Sequence, residues 1–192
     1  ERNEREIEVL IQLAKDGQVN IAVVGNEVLL RGELPEPELL AYIARVKAAV
    51  PDDVPVGCVD AYFQFLERPA LVAACDVLLP NCYPFWEGAD IAVASQYLRR
   101  MHGLVKAAAG EDKRVIVAET GWPGKGLPVG AAVPSAENAM RYFIDVQQWA
   151  RGEGVRLFYF SSFDEPWKLG QEGEVGTQWG LWDKDERRKY GG

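Results

Sequence analysis

Five short apolar runs recur along the chain, and polar or aromatic residues follow each of them. The runs are Val19–Val24, Val54–Val59, Asp76–Leu79, Arg114–Ala118 and Arg156–Phe160. Hydrophobicity that is continuous rather than alternating is typical of strands buried on both faces of a parallel sheet. The pattern therefore predicts five parallel strands.

Helical periods lie before and between these runs. Apolar residues spaced three or four positions apart predict four buried helix faces. They are Ile7, Leu10, Ile11 and Ala14; Leu39, Ile43, Val46 and Val50; Val93, Tyr97, Met101 and Leu104; and Ala139, Phe143, Val146 and Trp149. Gly17, Pro51 and Gly152 are predicted to end the first, second and fourth helices, and Ser135 to cap the fourth. The stretch Leu66–Ala74 predicts at most one short helical turn.

Strict alternation of helix and strand predicts an α/β fold with a parallel sheet and right-handed crossovers. Such a sheet is either doubly wound or a piece of a (β/α)8 barrel. No glycine-rich phosphate loop and no GxGxxG fingerprint follows a strand, which disfavours the nucleotide-binding doubly wound folds. With 192 residues and no linker in the sequence, the chain is predicted to form one domain, residues 1–192.

Charge narrows the range of partners. The chain carries 21 Lys plus Arg against 29 Asp plus Glu, a formal net charge of −8. An acidic surface repels phosphate backbones and anionic lipids, so nucleic acid and membrane surfaces are disfavoured, whereas a neutral ligand meets no such repulsion. No apolar run approaches the roughly 20 residues that span a bilayer.

The three cysteines and the single histidine do not indicate a disulfide framework, a metal site or a histidine-dependent catalytic triad. Three cysteines, Cys58, Cys75 and Cys82, cannot form a complete disulfide framework and are predicted to be small buried hydrophobic residues. No CxxC or histidine-rich spacing indicates a metal site. His102, the one histidine, falls in a helical stretch with nothing nearby to support a histidine-dependent triad.

Each predicted strand changes from apolar to polar at its C-terminal end, where parallel barrels and open sheets place their sites. Glu27 follows the first strand and Glu119 ends the fourth. Cleavage of an acetal needs an acid to protonate the leaving oxygen and a carboxylate to capture the anomeric carbon, about 5–5.5 Å apart for retention of configuration. A lone glutamate in such a place is more often simply exposed. Two of them, each directly after a buried run, predict a glycosidase pair.

Five segments resemble glycoside hydrolase family 17, the β-1,3-glucanases and glucanosyltransferases, and they run in the family's order. They are VVGNEV at 23–28, NCYPF at 81–85, VAETGWP at 117–123, FDEPWK at 163–168 and WGLWD at 179–183. The ETGWP segment is a specific signature, whereas Asn-Glu alone would be weak. The segment AVPSAEN and the Trp-rich ending resemble bacterial members more than plant ones.

The resemblance implies a retaining (β/α)8-barrel enzyme that acts on β-1,3-linked glucan without a cofactor or metal. It implies that Glu27 is the general acid/base and that Glu119 is the nucleophile, with Tyr83 hydrogen-bonded to it. The candidate substrate-binding residues are Asn26, Asp60, Tyr83, Trp122, Phe163, Glu165 and Lys168. Glu165 and Lys168 have a plainer interpretation as an i,i+3 ion pair. The aromatic candidates for sugar stacking, which include Trp86, Trp179 and Trp182, have core packing as their alternative.

If the first strand is the family's fourth, the chain covers strands 4 to 8 and lacks the first three βα units. Five strands do not close an eight-stranded barrel. The rest of the barrel is then expected from a part of the protein outside this chain, from another chain, or from a second copy. The alternatives to an enzyme are a non-catalytic or inactive glucan-binding fragment and a purely structural remnant. The family's substrates imply a place outside the cell, in the envelope or in the periplasm.

Overall fold

The computed structural model describes residues 2–190, and these fall into two compact units. The first unit contains residues 2–81 and 102–116, and the second contains residues 82–101 and 117–190. The expectation of one domain over residues 1–192 stays a prediction.

Parallel strands and their connecting helices build the first unit. Its elements are α1 (Arg2–Lys15), β1 (Ala22–Asn26), α2 (Glu36–Lys47), β2 (Val56–Ala61), α3 (Tyr62–Glu67), α4 (Pro69–Ala74), β3 (Val77–Asn81) and β4 (Arg114–Val115). β1 pairs with β2, β2 with β3, and β3 with β4, always in parallel. The predicted parallel arrangement is confirmed.

Burial on both faces explains the apolar character of β2 and β3, whereas β1 differs because Val23 is 40% exposed. Every residue of β2 and of β3 is buried. Leu39, Ile43 and Val46 of α2 share one core with Val56 and Cys58 of β2. Removal of these side chains from water is the main favourable contribution to the stability of this unit.

Aromatic packing dominates the second unit. Its elements are β5 (Val117–Thr120), α6 (Ala136–Glu153), β6 (Leu157–Tyr159), a 3-10 turn (Pro166–Lys168) and α7 (Leu169–Gly176). β5 and β6 pair in parallel. The ring of Phe85 packs edge to face on Trp122 and Trp179, at centroid distances of 5.3 and 5.6 Å. One more helix, α5 (Ile91–Ala109), begins in the second unit and ends in the first.

Local sequence signals set most of the helix ends. The Ser135 hydroxyl accepts a hydrogen bond from the Asn138 amide at 3.0 Å, which is the predicted cap of α6. Gly17 follows α1 with a φ of 73°, the left-handed conformation expected of a helix stop. The predicted end of α6 at Gly152 is wrong, because the helix continues and Gly154 supplies the left-handed cap with a φ of 66°.

The buried face of α5 differs from the predicted one. Val93 and Leu104 are 46% and 41% exposed. The buried stripe consists of Ala94, Leu98, Met101 and Val105. It shares Met101 with the predicted stripe, and its other three members each stand one position, or about 100°, further along the helix, so periodicity alone does not separate the two. In α6, likewise, Tyr142 is fully buried whereas Phe143 is only partly covered.

The fourth apolar run is divided rather than continuous. Arg114–Ala118 is predicted as one strand, but β4 ends at Val115 and a second strand, β5, runs from Val117 to Thr120. Glu119 therefore lies within a strand, one residue before its end. This position fixes the backbone of Glu119 by pairing, which a loop would not do.

Two short helices replace the single turn predicted at Leu66–Ala74. α3 ends at Glu67 and α4 begins at Pro69, with Arg68 between them in a non-helical conformation. Proline has a fixed φ and no N–H, so it suits the first position of a new helix and breaks the continuation of the previous one.

The close approach of two backbones at Gly121 gives a first prediction. A Cβ atom at Gly121 would collide with the carbonyl oxygen of Phe160, so Gly121→Ala is expected to lower the free energy of unfolding by about 2–3 kcal/mol. Gly103 lies inside α5 with no atom within 4 Å of a Cβ, and Gly103→Ala should instead raise stability by up to about 1 kcal/mol. Urea unfolding of both variants measures the difference. Equal stability of the two would contradict the close approach.

All three cysteines are free and buried, as the sequence predicts. Burial raises the pKa of Cys75 to about 11 and raises the pKa of Cys58 and of Cys82 further. A thiol with a raised pKa is a poor nucleophile and a poor metal ligand at neutral pH. His102 is buried in α5.

Candidate active site

The backbone turns sharply at the end of β1, where Glu27 follows Asn26. Gly25 has a φ of 83° and Glu27 has a φ of 56°, and the pairing of β1 with β2 shifts register between Val23 and Asn26. The Glu27 amide still donates to the Val59 carbonyl at 2.9 Å. A left-handed conformation costs a residue with a Cβ atom about 1–2 kcal/mol, and residues held in this way cluster at functional sites.

Two side chains of the first unit hold the Glu27 carboxylate. Asn81, buried at the end of β3, donates its amide to Glu27 Oε1 at 2.8 Å. Arg31 forms an ion pair with Glu27 Oε2 at 3.2 Å and also donates to the carbonyl of Asn26. The Asn26 side chain lies 3.4 Å from the Asn81 amide nitrogen. Asn26 and Glu27 are therefore brought together with Asn81, a partner that the sequence analysis did not assign.

Asp60 lies after the second apolar run, as predicted, but its carboxylate is bound by the protein itself. It is fully buried at the end of β2, and its carboxylate accepts backbone N–H groups from Leu29 at 3.0 Å, Leu30 at 3.3 Å and Ala61 at 2.8 Å. Each oxygen of the carboxylate is engaged by the protein itself. These contacts give Asp60 a role in holding the turn after Glu27, and they argue against the predicted direct contact with substrate.

Burial of Asp60 also makes stability depend on pH. Burial raises the pKa of Asp60 above its ordinary value of 3.8, although three backbone hydrogen bonds act in the opposite direction. The folded state therefore holds this proton more tightly, so the contribution of Asp60 to stability is complete below pH 3.8 and is lost as the pH rises through its folded pKa. In urea titrations, wild type minus Asp60→Asn should show a stability difference that falls as the pH rises from 3.8. A difference that grows with pH would contradict the assignment.

In the second unit, the Glu119 carboxylate is held by Tyr83. The Tyr83 hydroxyl donates to Glu119 Oε2 at 2.7 Å, which is the contact expected from the sequence. The Cys82 amide donates to the Glu119 carbonyl at 2.8 Å, so the residue before Tyr83 is tied to the same stretch of β5. Behind the strand, the buried hydroxyls of Thr120 and Tyr142 lie 2.6 Å apart. Backbone pairing and side-chain hydrogen bonds together fix the direction of the Glu119 side chain.

Two aromatic rings pack against Tyr83, and one of them also contacts a lysine. The ring of Tyr83 lies 5.3 Å from that of Trp179 and 6.2 Å from that of Phe160, in both cases edge to face. The Lys168 ammonium lies 4.2 Å above the Phe160 ring and forms an ion pair with Glu165 Oε2 at 2.7 Å. The second unit thus brings Tyr83, Lys168 and Glu165 into one cluster, and it contains the i,i+3 ion pair that was the plainer interpretation of Glu165 and Lys168.

The aromatic side chains predicted to stack on a sugar differ in how much of each is exposed to solvent. Trp122 is 1% exposed, and its indole N–H donates to the Val133 carbonyl at 3.0 Å. Because both of its faces are covered, this arrangement argues for a packing role in place of the predicted sugar contact. Phe163, in contrast, is 47% exposed and lies 5.9 Å from the Trp182 ring. Trp86 is exposed as well, whereas Trp179 is buried.

The sequence does not indicate the contacts of two residues near the site, Arg31 and Asp164. Arg31 stands four positions after Glu27, a spacing that favours an ion pair only if the segment turns like a helix. Asp164 is buried, and its carboxylate accepts hydrogen bonds from the Lys189 ammonium at 2.7 Å and from the Gly180 amide at 2.9 Å. It thereby anchors the loop that carries Phe163. Asp164 belongs to the FDEPWK segment, so its motif was recognised although its contacts were not.

No group of three or more His, Cys, Asp or Glu side chains within residues 2–190 is placed to hold a metal ion. In the same part of the chain, no helix has the length and apolar character needed to cross a membrane. The first unit holds a carboxylate with an amide and a guanidinium, and the second holds carboxylates with a phenol and an ammonium. Such a set can transfer protons and stabilise charge.

Known proteins match most of this chain. The BtgE/BtgC glycoside hydrolase domain matches residues 1–180. A glucan 1,3-beta-glucosidase of Candida albicans is 31% identical over 90% of this chain and 62% of its own length. A glucan 1,3-beta-glucosidase of Arthroderma benhamiae is 33% identical over 87% of this chain and 59% of its own length. The chain therefore spans about three fifths of the length of these relatives.

A solved structure gives the fold. The glycoside hydrolase family 17 beta-1,3-glucanosyltransferase of Rhizomucor miehei matches with a TM-score of 0.87 and 32% identity, over 97% of this chain and 69% of its own. An active-site mutant of that enzyme, in complex with laminaritriose, matches equally well. The predicted α/β fold of the (β/α)8 class and the resemblance to family 17 are confirmed, while the bacterial type stays a prediction. This chain belongs to the BtgE/BtgC glycoside hydrolase family.

Proposed function

We propose that this protein is a retaining β-1,3-glucan hydrolase or transglycosylase in which Glu119 is the nucleophile and Glu27 the general acid/base. The observation that carries the proposal is the hydrogen bond from the Tyr83 hydroxyl to Glu119 at 2.7 Å. A hydrogen bond donated to a carboxylate stabilises its charged form, which is the form that attacks. Membership of a glycoside hydrolase family and likeness to a β-1,3-glucanosyltransferase support the choice of substrate.

The proposed reaction has two displacements. In the first, a Glu119 oxygen bonds to the anomeric carbon while the bond to the leaving glucan oxygen breaks, and Glu27 gives that oxygen its proton. The product is a glycosyl ester of Glu119. In the second, Glu27 takes a proton from water or from a sugar hydroxyl, whose oxygen displaces Glu119 and restores the free enzyme. Two inversions give net retention.

Asn81 and Tyr83 have the same role in the proposed reaction, because each donates a hydrogen bond to one of the two carboxyl groups. Asn81 donates to Glu27 Oε1 at 2.8 Å and Tyr83 donates to Glu119 Oε2 at 2.7 Å, so a neutral donor orients each carboxyl, and Arg31 also pairs with Glu27 Oε2 at 3.2 Å. Asn26, Phe163, Glu165 and Lys168 stay proposed substrate contacts. Phe163 has the exposed ring that stacking on a sugar requires.

The test is incubation of the purified protein with laminari-oligosaccharides, with products followed by mass and by anomeric NMR. Products of the β configuration are expected. Products longer than the donor would indicate transfer to sugar in addition to hydrolysis. Products of the α configuration, or no products from well-folded protein, would refute the proposal.

The second candidate function is binding of β-glucan without turnover. It is favoured by the exposed rings of Trp86, Phe163 and Trp167, which are available for stacking on a sugar. Calorimetric binding of laminaritriose without product formation would support it. Under either function, the proposed partner is a neutral β-glucan, and the proposed location is outside the cell or in its envelope. Completion of the barrel by a further part of the protein or by a second copy stays a proposal as well.

A further inference from the structure

Glu27 is followed by a tight turn that the protein holds by its backbone. The Arg31 amide donates to the Glu27 carbonyl at 2.9 Å, and the Glu33 amide donates to the Val28 carbonyl at 2.9 Å. Within this turn, the amides of Leu29 and Leu30 point away from these bonds and meet the Asp60 carboxylate. Asp60 is thus the acceptor that closes the turn from the side of β2.

We infer that Asp60 is a positioning residue for Glu27. By binding the amides of Leu29 and Leu30, it fixes the turn that keeps Glu27 in its left-handed conformation. The inference rests on the proposed function, since it gives Asp60 a purpose in the proton transfer carried out by Glu27. Asp60 itself is buried and touches no substrate.

The chemistry of the carboxylate explains why an aspartate is needed at this position. Oδ2 accepts from Leu29, while Oδ1 accepts from both Leu30 and Ala61. An asparagine has one acceptor oxygen and places an NH2 group where the other oxygen stood. At least one of the three backbone N–H groups would then face a donor. The turn would have to move, and Glu27 with it.

Displacement of Glu27 has a kinetic signature that general destabilisation lacks. A general acid matters for a leaving group that must be protonated, and hardly matters for an acidic phenol that leaves as an anion. A misplacement of the order of 1 Å costs roughly 100-fold in rate. Asp60→Asn should therefore lower kcat/KM for laminaripentaose by roughly 100-fold and leave the rate of glycosyl-enzyme formation from 2,4-dinitrophenyl β-laminaribioside within a factor of about three of wild type.

Asp76 supplies a matched control, because its carboxylate lies beside the first residue of β2, at the opposite end of that strand from Asp60. Its carboxylate accepts the Val56 amide at 3.0 Å and pairs with Lys47 at 2.7 Å, so Asp76→Asn makes the same chemical change beside the first residue of β2. This variant should affect both substrates equally. An equal loss on both substrates in Asp60→Asn, or no loss on either, would overturn the inference while leaving the proposed function intact.

Hydrogen exchange provides a second measurement that does not depend on activity. In wild type, the amides of Leu29 and Leu30 should exchange at least about 100-fold more slowly than in the unfolded chain, because the Asp60 carboxylate binds them. Free exchange at these two amides would overturn the inference even if Asp60→Asn did not fold. Absence of turnover on both substrates by wild type would refute the proposed function, and the exchange data would still decide whether Asp60 holds the turn.

Discussion

Replacement of Glu119 by alanine is expected to lower kcat on laminari-oligosaccharides by roughly 10⁴ to 10⁶-fold, the scale of loss when a catalytic nucleophile is removed. The reason is that no other group in β5 can form the glycosyl ester: the side chain of the next residue, Thr120, is buried and bonded to Tyr142. Initial rates with an activated aryl donor, in the presence and absence of azide, measure the effect. Azide fits the space left by the carboxylate and should restore part of the rate.

The configuration of the azide product tests the role of Glu119 directly. In Glu119→Ala, azide attacks the anomeric carbon once, so the product is the α-glycosyl azide, which has inverted configuration. Tyr83→Phe is the matched control, because it removes the 2.7 Å hydrogen bond to Glu119 and keeps the carboxylate. This variant should be slower than wild type without responding to azide. A β-glycosyl azide from Glu119→Ala would assign the nucleophile to another residue.

The strands and both glutamates were predictable from the sequence because the strands of this parallel sheet are apolar. β2 and β3 are buried at every residue, and β1 and β6 are also apolar although Val23 and Phe158 are exposed, so apolar runs mark where the strands lie. Glu27 and Glu119 stand at the C-terminal ends of two strands, where the polar residues of a parallel sheet gather. The helix ends at Gly17 and Ser135 were readable for an equally local reason, since capping depends on one or two residues.

Features that depend on contacts between distant segments were not predictable. Asp60 follows a strand, as a substrate-binding residue would, and only the positions of Leu29 and Leu30 show that the protein itself occupies its carboxylate. The face of α5 was misassigned because two apolar stripes compete on that helix and tertiary packing selects between them. Asn81 lies inside a recognised segment, but its bond to Glu27 joins residues 54 positions apart.

The left-handed backbone of Glu27 leads to a prediction in which activity and stability separate. Glu27→Gly and Glu27→Ala both remove the acid/base, and each should lower kcat/KM on laminaripentaose by roughly 10² to 10⁴-fold. Their stabilities should differ in an unusual direction. At an ordinary position, glycine is less stable than alanine by about 0.5–1 kcal/mol. At a φ of 56°, alanine bears the steric cost of about 1–2 kcal/mol that glycine avoids, so Glu27→Gly is expected to be the more stable variant by about 1 kcal/mol.

Glu38 provides the comparison at an ordinary backbone position. It is exposed in the first turn of α2, where Glu38→Gly should be less stable than Glu38→Ala by up to about 1 kcal/mol. Urea unfolding of the four variants gives the two differences, and their signs should be opposite. If glycine were also the less stable choice at position 27, the turn would not hold Glu27 in a left-handed conformation. A glycine variant that is the more stable at position 27 would show that the left-handed backbone of Glu27 costs free energy of folding. Such a cost is expected where a side chain is selected for chemistry rather than for packing.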